Sequence, residues 1–187
     1  AFVQMTATPG GTDSEPFRLN ADDREHRVLL ARHGKAKSVA LREATNATGK
    51  RGFEVLSRLL VEEAITQFDG NCRNIAVVVN RIATARMVAA LLPEALRKEK
   101  IPESVVHLAI GRMRPIDRDR LTEAIQSRVG PDASTDPDAP PMFVVATQCL
   151  EVGADFDFDA MVTECASLDA LRQRFGRLNR KGRDMEA

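Results

Sequence analysis

The stretch Ile75-Ala76-Val77-Val78-Val79 decides the fold of this 187-residue chain. Its apolar side chains follow one another without the polar alternation of a half-exposed strand, and four of the five are β-branched. Such a run is typical of a parallel strand, because the crossover helices of a parallel sheet cover both of its faces. Met142-Phe143-Val144-Val145-Ala146 is a second run of this kind. The two runs predict a mainly parallel sheet with helices on both sides.

Segments with helical periodicity alternate with strand candidates around these two runs. Helices are predicted over 53–68, 82–98, 115–129 and 168–176, and further strands over 104–108 and 160–163. Strands that alternate with helices of this length indicate βαβ units. The predicted fold class is therefore α/β.

The remaining segments are less regular. Short strands are predicted over 2–9 and 28–31, a polar linker over 13–23, and a surface loop over 130–141, which is rich in Pro, Asp, Ala and Ser. The stretch 35–50 has no clear element, and Gly49 marks a loop there. The first residue is Ala rather than Met, so we expect a piece of a longer protein.

Composition excludes several classes of function. The formal net charge is zero, which argues against a globally basic nucleic-acid binder, and Trp and Tyr are absent, which argues against an aromatic platform for bases. Cys72, Cys149 and Cys165 form no CxxC pair, so we expect buried or half-buried reduced thiols and no metal site. No apolar run approaches a membrane span, and a cytoplasmic location is expected.

Ligands of parallel α/β sheets bind beyond the carboxyl ends of the strands. That rule selects four segments: Thr6-Ala7-Thr8, Asn80-Arg81, Gly111-Arg112-Met113-Arg114 and Thr147–Asp155. The last offers a hydroxyl, a glycine for close approach and an aspartate that could accept from a ribose. Local roles remain open for three of these segments: helix or turn capping for Asn80, Thr147 and Asp155, and an ordinary solvated loop for Gly111–Arg114.

The richest segment is Gln173-Arg174-Phe175-Gly176-Arg177-Leu178-Asn179-Arg180. Three arginines at three-residue spacing, Arg174, Arg177 and Arg180, fall at a predicted helix end, where their guanidinium groups should point roughly the same way. Planar guanidinium groups suit phosphate oxygens and make poor core residues. The alternative is a solvated helix end beside Asp184 and Glu186.

The phosphate loop G-x-x-x-x-G-K-[ST] is missing from the 187 residues, and so is an Asp-Glu-x-[His/Asp] box for a metal ion. The chain has the arginines of a nucleoside triphosphate site without the phosphate cradle or the magnesium carboxylate. We therefore expect half of a composite site.

In chain order, Thr6-Ala7-Thr8, Val79-Asn80, Gly111-Arg112, Thr147–Asp155 and Gln173–Arg180 resemble motifs III to VI of superfamily 2 helicases. The similarity is greatest to the helicase part of the CRISPR-associated helicase–nuclease of type I systems, at 146–157 for the fifth motif and 171–180 for the sixth. Asn179 stands where the wider superfamily usually has Gly, and this departure favours the CRISPR branch over DEAD-box RNA helicases.

The resemblance implies a RecA-like three-layer α/β/α fold, with residues 1–19 as the tail of a first RecA-like domain and a linker, and 20–187 as the second. It implies an ATP-dependent DNA helicase or translocase in antiviral interference, inactive as this chain alone. ATP and Mg²⁺ would be bound mainly by the first domain. The implied partners are single-stranded DNA, that first domain, a nuclease domain of the same protein and a CRISPR RNA-guided surveillance complex, with no membrane.

The resemblance also assigns roles to single residues. Arg177 and Arg180 match arginine fingers that reach a γ-phosphate, and Gly153, Asp155, Gln173 and Arg174 match nucleotide-side positions, where Gln173 and Arg174 either contact the nucleotide or hold the motif in place. Asn80, Arg81, Arg112 and Thr147 match positions that face nucleic-acid phosphates. Thr6 and Thr8 match the motif that couples hydrolysis to movement.

Two other functions remain open at this point. One is another superfamily 2 motor, such as an RNA helicase or a restriction translocase. The other is a non-catalytic nucleic-acid-binding module that keeps the fold.

Overall fold

A computed structural model describes residues 20–27, 29–30, 37–49, 51–69, 72–101, 103–133, 136, 138–150 and 155–183. Its elements, in chain order, are α1 (Ala21–Glu25), α2 (Gly52–Thr66), β1 (Asn74–Val78), α3 (Ile82–Lys98), β2 (Val105–Ala109), α4 (Pro115–Val129), β3 (Met142–Ala146), β4 (Ala160–Thr163) and α5 (Leu168–Phe175). A 3-10 turn, Gln148–Leu150, follows β3.

The four strands form one parallel sheet in the order β2-β3-β1-β4. The two apolar runs, β1 and β3, are the central strands, and they pair from Asn74 opposite Met142 to Val78 opposite Ala146. Since all strands run the same way, their carboxyl ends share one edge of the sheet. The predicted α/β fold class is confirmed.

Successive side chains of the central strands enter two different cores, because side chains of a strand alternate between its faces. Ile75 and Val77 pack with residues of α2 and α3, whereas Ala76 and Val78 pack with Ile125 of α4 and with apolar residues that precede β4. Among the described helices, α2 and α3 therefore pack on one face of the sheet and α4 packs on the other. This is the three-layer α/β/α arrangement.

Helix ends follow local chemistry. Pro115 occupies the first turn of α4, where its missing N–H costs nothing. Ser167 precedes α5, and its hydroxyl accepts a hydrogen bond from the N–H of Ala170 at 3.4 Å. Gly49 has φ +70°, which fits the predicted loop.

Two predictions near the start of the chain are wrong. Leu29 and Leu30, in the predicted strand 28–31, are helical, and the N–H of Leu30 donates to the carbonyl of His26 at 3.0 Å. A short apolar run does not distinguish a strand from a helix by periodicity. Residues 21–23 of the predicted linker belong to α1, where Asn20 followed by acidic residues is a helix-start pattern that we did not use. The predicted strand 2–9 lies outside the described residues.

No helix of the described segments is long and apolar enough to cross a membrane. Across the same segments, no group of three or more His, Cys, Asp or Glu side chains could hold a metal ion.

Candidate functional site

The structure brings three of the predicted site residues together. The carboxylate Oδ1 of Asp155 accepts from Nη1 of Arg180 at 2.5 Å and lies 3.6 Å from Nη1 of Arg177. The Asp155 side chain is 60% exposed, and those of Arg177 and Arg180 are 16% and 38% exposed. One carboxylate therefore meets two guanidinium groups near the protein surface.

The charges of this group explain how it would respond to an anion. Burial, and then the positive charge of Arg180, lower the pKa of Arg177, while Asp155 opposes that shift. Arginine stays protonated in proteins, so the lowered pKa reflects the cost of keeping a charged Arg177 partly out of water and beside Arg180. A phosphate oxygen beside the two guanidinium groups would relieve it.

The chain beside these arginines is attached to the sheet through Phe158. The N–H of Phe158 donates to the carbonyl of Arg177, and the N–H of Asn179 donates to the carbonyl of Phe158, both at 2.9 Å. Phe158 lies two residues before β4, and the next residue donates to the carbonyl of Asn74, the first residue of β1. The group of Asp155, Arg177 and Arg180 therefore lies toward the amino end of β4.

The extended segment Asp155–Asp159 alternates Asp and Phe, so its side chains point to two opposite faces. Phe156 and Phe158 are buried in the core beneath α4, and the aspartates face the arginine segment. Asp157 accepts from the backbone N–H of Arg180 and lies 3.3 Å from Arg183. Asp159 accepts from Arg183 and from the N–H groups of Arg73 and Asn74.

Sequence reasoning missed Asp157, Asp159 and Arg183. The signal was present, because strict alternation of polar and apolar residues marks an extended segment with two faces. The spacing of three between Arg177, Arg180 and Arg183 was also readable.

The backbone turn that carries the arginines depends on Asn179. Its φ is +41°, a left-handed conformation that Asn tolerates better than most residues. Its side chain is 5% exposed and makes two hydrogen bonds with the backbone of Arg183, through Nδ2 at 2.9 Å and Oδ1 at 2.8 Å. Asn179 therefore adopts the left-handed backbone that glycine would allow, and its side chain adds two hydrogen bonds that glycine could not make.

One prediction about the arginines is wrong. We expected Arg174, Arg177 and Arg180 to point the same way from a helix end, yet α5 ends at Phe175 and Arg174 is only 3% exposed. Its guanidinium donates to Thr163, Glu164 and Asn80. Arginine is tolerated in this core because its donors meet acceptors there.

The predicted nucleic-acid residues lie at the opposite edge of the sheet. Asn80 and Arg81 follow β1, Arg112 follows β2 and Thr147 follows β3. Arg81 and Arg112 are exposed, whereas Thr147 is 4% exposed and its N–H donates to the carbonyl of Ala109 at 3.2 Å. Arg81, not Asn80, is the N-cap residue of α3, and it makes no side-chain cap.

Other predicted positions are less informative. Gln173 is half-buried on α5. Gly153, Thr6 and Thr8 lie outside the described residues. The cysteine prediction is wrong for Cys149 and Cys165, which are exposed at the ends of β3 and β4, and it holds for the half-buried Cys72.

Residues 71–183, more than half of the chain, match the family model described as the C-terminal part of the CRISPR-associated nuclease/helicase Cas3. The chain belongs to this family. It is a Cas3 helicase C-terminal domain, as the resemblance predicted.

Curated relatives carry the same name. The chain is 38% identical over 112 residues to the CRISPR-associated helicase Cas3 of Thermoproteus tenax. The aligned segment covers 59% of this chain and 17% of the relative. The matched segments span only 6% to 17% of the length of the curated relatives.

Solved structures share the fold. The T. fusca Cas3–ATP structure has a TM-score of 0.57 at 22% identity, covering 75% of this chain and 16% of that chain. A chain of a CRISPR RNA-guided surveillance complex, pre-nicking, has a TM-score of 0.51 at 24% identity, covering 74% of this chain and 15% of that chain.

Proposed function

We propose that this domain is the second motor domain of an ATP-driven DNA helicase or translocase in a CRISPR system, and that Arg177 and Arg180 are its arginine fingers. The observation that carries the proposal is the contact of Asp155 with both arginines. The side chains of Arg177 and Arg180 remain partly exposed, so an incoming phosphate can reach them.

The chemistry follows from the charge of the group. Phosphoryl transfer spreads negative charge over the γ-phosphate oxygens, and a preorganised guanidinium stabilises that charge. The backbone N–H of Arg180 donates to the carboxylate of Asp157, and its guanidinium donates to Asp155. Both the backbone and the side chain of the finger are therefore held before the nucleotide arrives. The energetic cost of ordering the side chain is then smaller at the moment of reaction.

The nucleotide itself must be held mainly by another domain. The sequence has no phosphate loop, and the described residues offer no cluster of metal-binding side chains. We propose that Mg²⁺ is held mainly by the first RecA-like domain, while the two guanidinium groups fit the polyphosphate of ATP. Structures of the same fold that are described as T. fusca Cas3 with ATP and with AMPPNP support nucleotide binding by the full-length protein.

Asp155, Gly153 and Gln173 complete the proposed nucleotide side. In the present conformation Asp155 is bonded to the fingers, so a ribose hydroxyl and the two arginines compete for one carboxylate. Binding of ATP would give the arginines a phosphate and release Asp155 toward the ribose.

The carboxyl edge of the sheet is the proposed single-stranded DNA surface. Arg81 and Arg112 are exposed there and would contact phosphates directly. Asn80 and Thr147 would act chiefly by shaping the turns that carry them, since Asn80 is bonded to the turn after β4 and Thr147 is buried. Few contacts predict modest, salt-dependent affinity. Thr6 and Thr8 would couple hydrolysis to movement.

The partners are proposed from the same family resemblance. They are the first RecA-like domain, a nuclease domain of the same protein and a CRISPR RNA-guided surveillance complex, the last supported by the surveillance-complex chain that shares this fold.

The test is Arg180→Ala in the full-length protein. Removing a finger should lower single-stranded-DNA-stimulated ATP turnover by about 10³-fold or more. The Kd for single-stranded DNA should change by less than about twofold, because Arg180 is remote from the proposed DNA edge. Turnover close to that of the wild type would reject the finger assignment.

Two controls sharpen the test. Arg180→Lys keeps the charge but loses the planar fork, so it should recover only part of the turnover. Arg120→Ala removes an exposed arginine from α4 and should leave turnover unchanged.

A further inference from the structure

Arg174 is the most enclosed arginine of the proposed motor segment. It is 3% exposed, and Nη1 donates to Oγ1 of Thr163 at 2.8 Å and to the carbonyl of Glu164 at 3.1 Å. Nη2 donates to Oδ1 of Asn80 at 2.9 Å. The guanidinium thus joins the carboxyl ends of β4 and β1.

Asn80 is fixed by the same network. Its Nδ2 donates to the carbonyl of Cys165 at 2.8 Å, and its backbone N–H donates to the carboxylate of Glu164. Arg81, the next residue, is the N-cap residue of α3 and lies at the proposed DNA edge. The position of this turn therefore depends on the segment between β4 and α5.

The backbone of Arg174 leads directly to a finger. Its carbonyl accepts from the N–H of Arg177, two residues beyond the end of α5, at 2.9 Å. The carbonyl of Phe175 accepts from Nζ of Lys37 at 2.6 Å, which holds the helix end from a second side. A shift of Arg174 would therefore move the turn that carries Arg177.

A role in nucleotide contact fits this geometry poorly. To reach a phosphate, the guanidinium would have to leave acceptors at the carboxyl ends of β4 and β1, and buried polar groups left without partners are costly. The guanidinium of Arg174 donates to Thr163, Glu164 and Asn80 at the carboxyl edge of the sheet, whereas the Asp155 group lies toward the amino end of β4.

We infer that Arg174 is a positioning residue, which holds the fingers in register with the DNA-facing turn at Asn80-Arg81 and does not contact the nucleotide. The inference rests on the proposed function and extends it. Both edges of the sheet are then linked through one side chain and one backbone hydrogen bond.

The experiment measures ATP hydrolysis by the full-length protein at saturating single-stranded DNA. The variants are Arg174→Lys, Asn80→Ala and the double variant, with Arg172→Lys as the matched control because Arg172 is an exposed arginine on the same helix. Lysine keeps the charge of Arg174, but one ammonium cannot replace a fork that reaches acceptors at the carboxyl ends of both β4 and β1.

We expect Arg174→Lys and Asn80→Ala each to lower kcat at least about tenfold while KM for ATP stays within about twofold. The double variant should be no slower than the slower single variant, because both substitutions break the same link. Arg172→Lys should behave as the wild type.

A KM for ATP that rises about tenfold in Arg174→Lys at unchanged kcat would show nucleotide contact and overturn the inference. An unchanged kcat in Asn80→Ala, or additive losses in the double variant, would also overturn it. If thermal melting shows that Arg174→Lys does not fold, Asn80→Ala decides alone, since it leaves the arginine in place without its Nη2 acceptor.

Arg180→Ala, measured in parallel, distinguishes a failure of the proposed function from a failure of the positioning role of Arg174. Wild-type turnover in Arg180→Ala would reject the proposed function itself. Loss of turnover in Arg180→Ala together with wild-type kcat in Arg174→Lys would reject only the positioning role.

Discussion

The aspartates that face the arginine segment differ sharply in burial. The side chain of Asp155 is 60% exposed and bonded to arginines, whereas that of Asp159 is 4% exposed and accepts from two backbone N–H groups, Asn74 Nδ2 and Arg183. Exposed ion pairs contribute little to stability, while a buried carboxylate with several donors is costly to remove. The two positions should therefore separate function from stability.

Asp159→Asn should lower the free energy of unfolding by about 2–4 kcal/mol, because it removes one acceptor oxygen and the charge opposite Arg183. Denaturant unfolding measures the loss, and amide hydrogen exchange should show faster exchange at Arg73 and Asn74. Asp155→Asn is the control and should cost less than about 1 kcal/mol. Equal losses in the two variants would contradict this assignment.

At the scale of elements, Cys149 and Cys165 mark the proposed DNA edge, since they follow β3 and β4 and are exposed. Cys72 precedes β1 at the other end of the sheet and is half-buried. Burial, followed by the negative charge of Asp69 and Asp159, raises the pKa of Cys72, which lowers its thiolate fraction.

Thiol labelling should therefore be slower at Cys72 than at Cys149 and Cys165. Single-stranded DNA should slow labelling of the two exposed thiols and leave Cys72 unchanged, as followed by mass spectrometry of the labelled peptides. Protection of Cys72 alone would contradict the prediction, because it would place the DNA at the amino end of the strands.

His107 in the middle of β2 gives the domain a pH dependence. Burial, and then the charge of Arg128, lower its pKa from 6.5, so the unfolded chain takes up a proton at a higher pH than the folded one. Stability is therefore lost as the pH falls through about 6.5 and toward the lowered folded pKa, with a slope below about 1.4 kcal/mol per pH unit for one proton.

Unfolding of this chain at pH 5.5 and pH 7.5 measures the effect. His107→Gln should show a flatter dependence than the wild type. A dependence that His107→Gln leaves unchanged would remove His107 as its source.

The sequence predicted the helices and the central strands well because their patterns are local. Periodicity identified α3 and α4 with their observed bounds, and continuous apolar runs identified β1 and β3. The burial of Arg174 was not predictable in this way. Its acceptors lie 10, 11 and 94 residues away in the chain, so only the folded sheet brings them together.

The candidate site was predicted in part for the same reason. The prediction of a parallel sheet placed Asn80, Arg112 and Thr147 at its carboxyl edge, because each follows a strand and all strands run in the same direction. The contact of Asp155 with Arg177 and Arg180 depends instead on how the segment before β4 returns to the amino end of the sheet, which no local pattern specifies.

For the whole molecule, the proposed site is composite, with nucleotide held by one domain and charge stabilised by another. The isolated 187-residue chain should therefore hydrolyse ATP no faster than background, while the full-length protein turns over in the presence of single-stranded DNA. A phosphate-release assay measures both. Clear turnover by the isolated chain would contradict the composite site.

Single-turnover hydrolysis by full-length Arg180→Ala tests the central claim most directly, since it separates the chemical step from ATP binding and product release. The account predicts a rate of the chemical step that is lower by about 10³-fold or more, with the Kd for ATP changed by less than about threefold. A chemical step within about tenfold of the wild type would contradict it, because a finger that stabilises the transferred phosphoryl group cannot be removed at so small a loss.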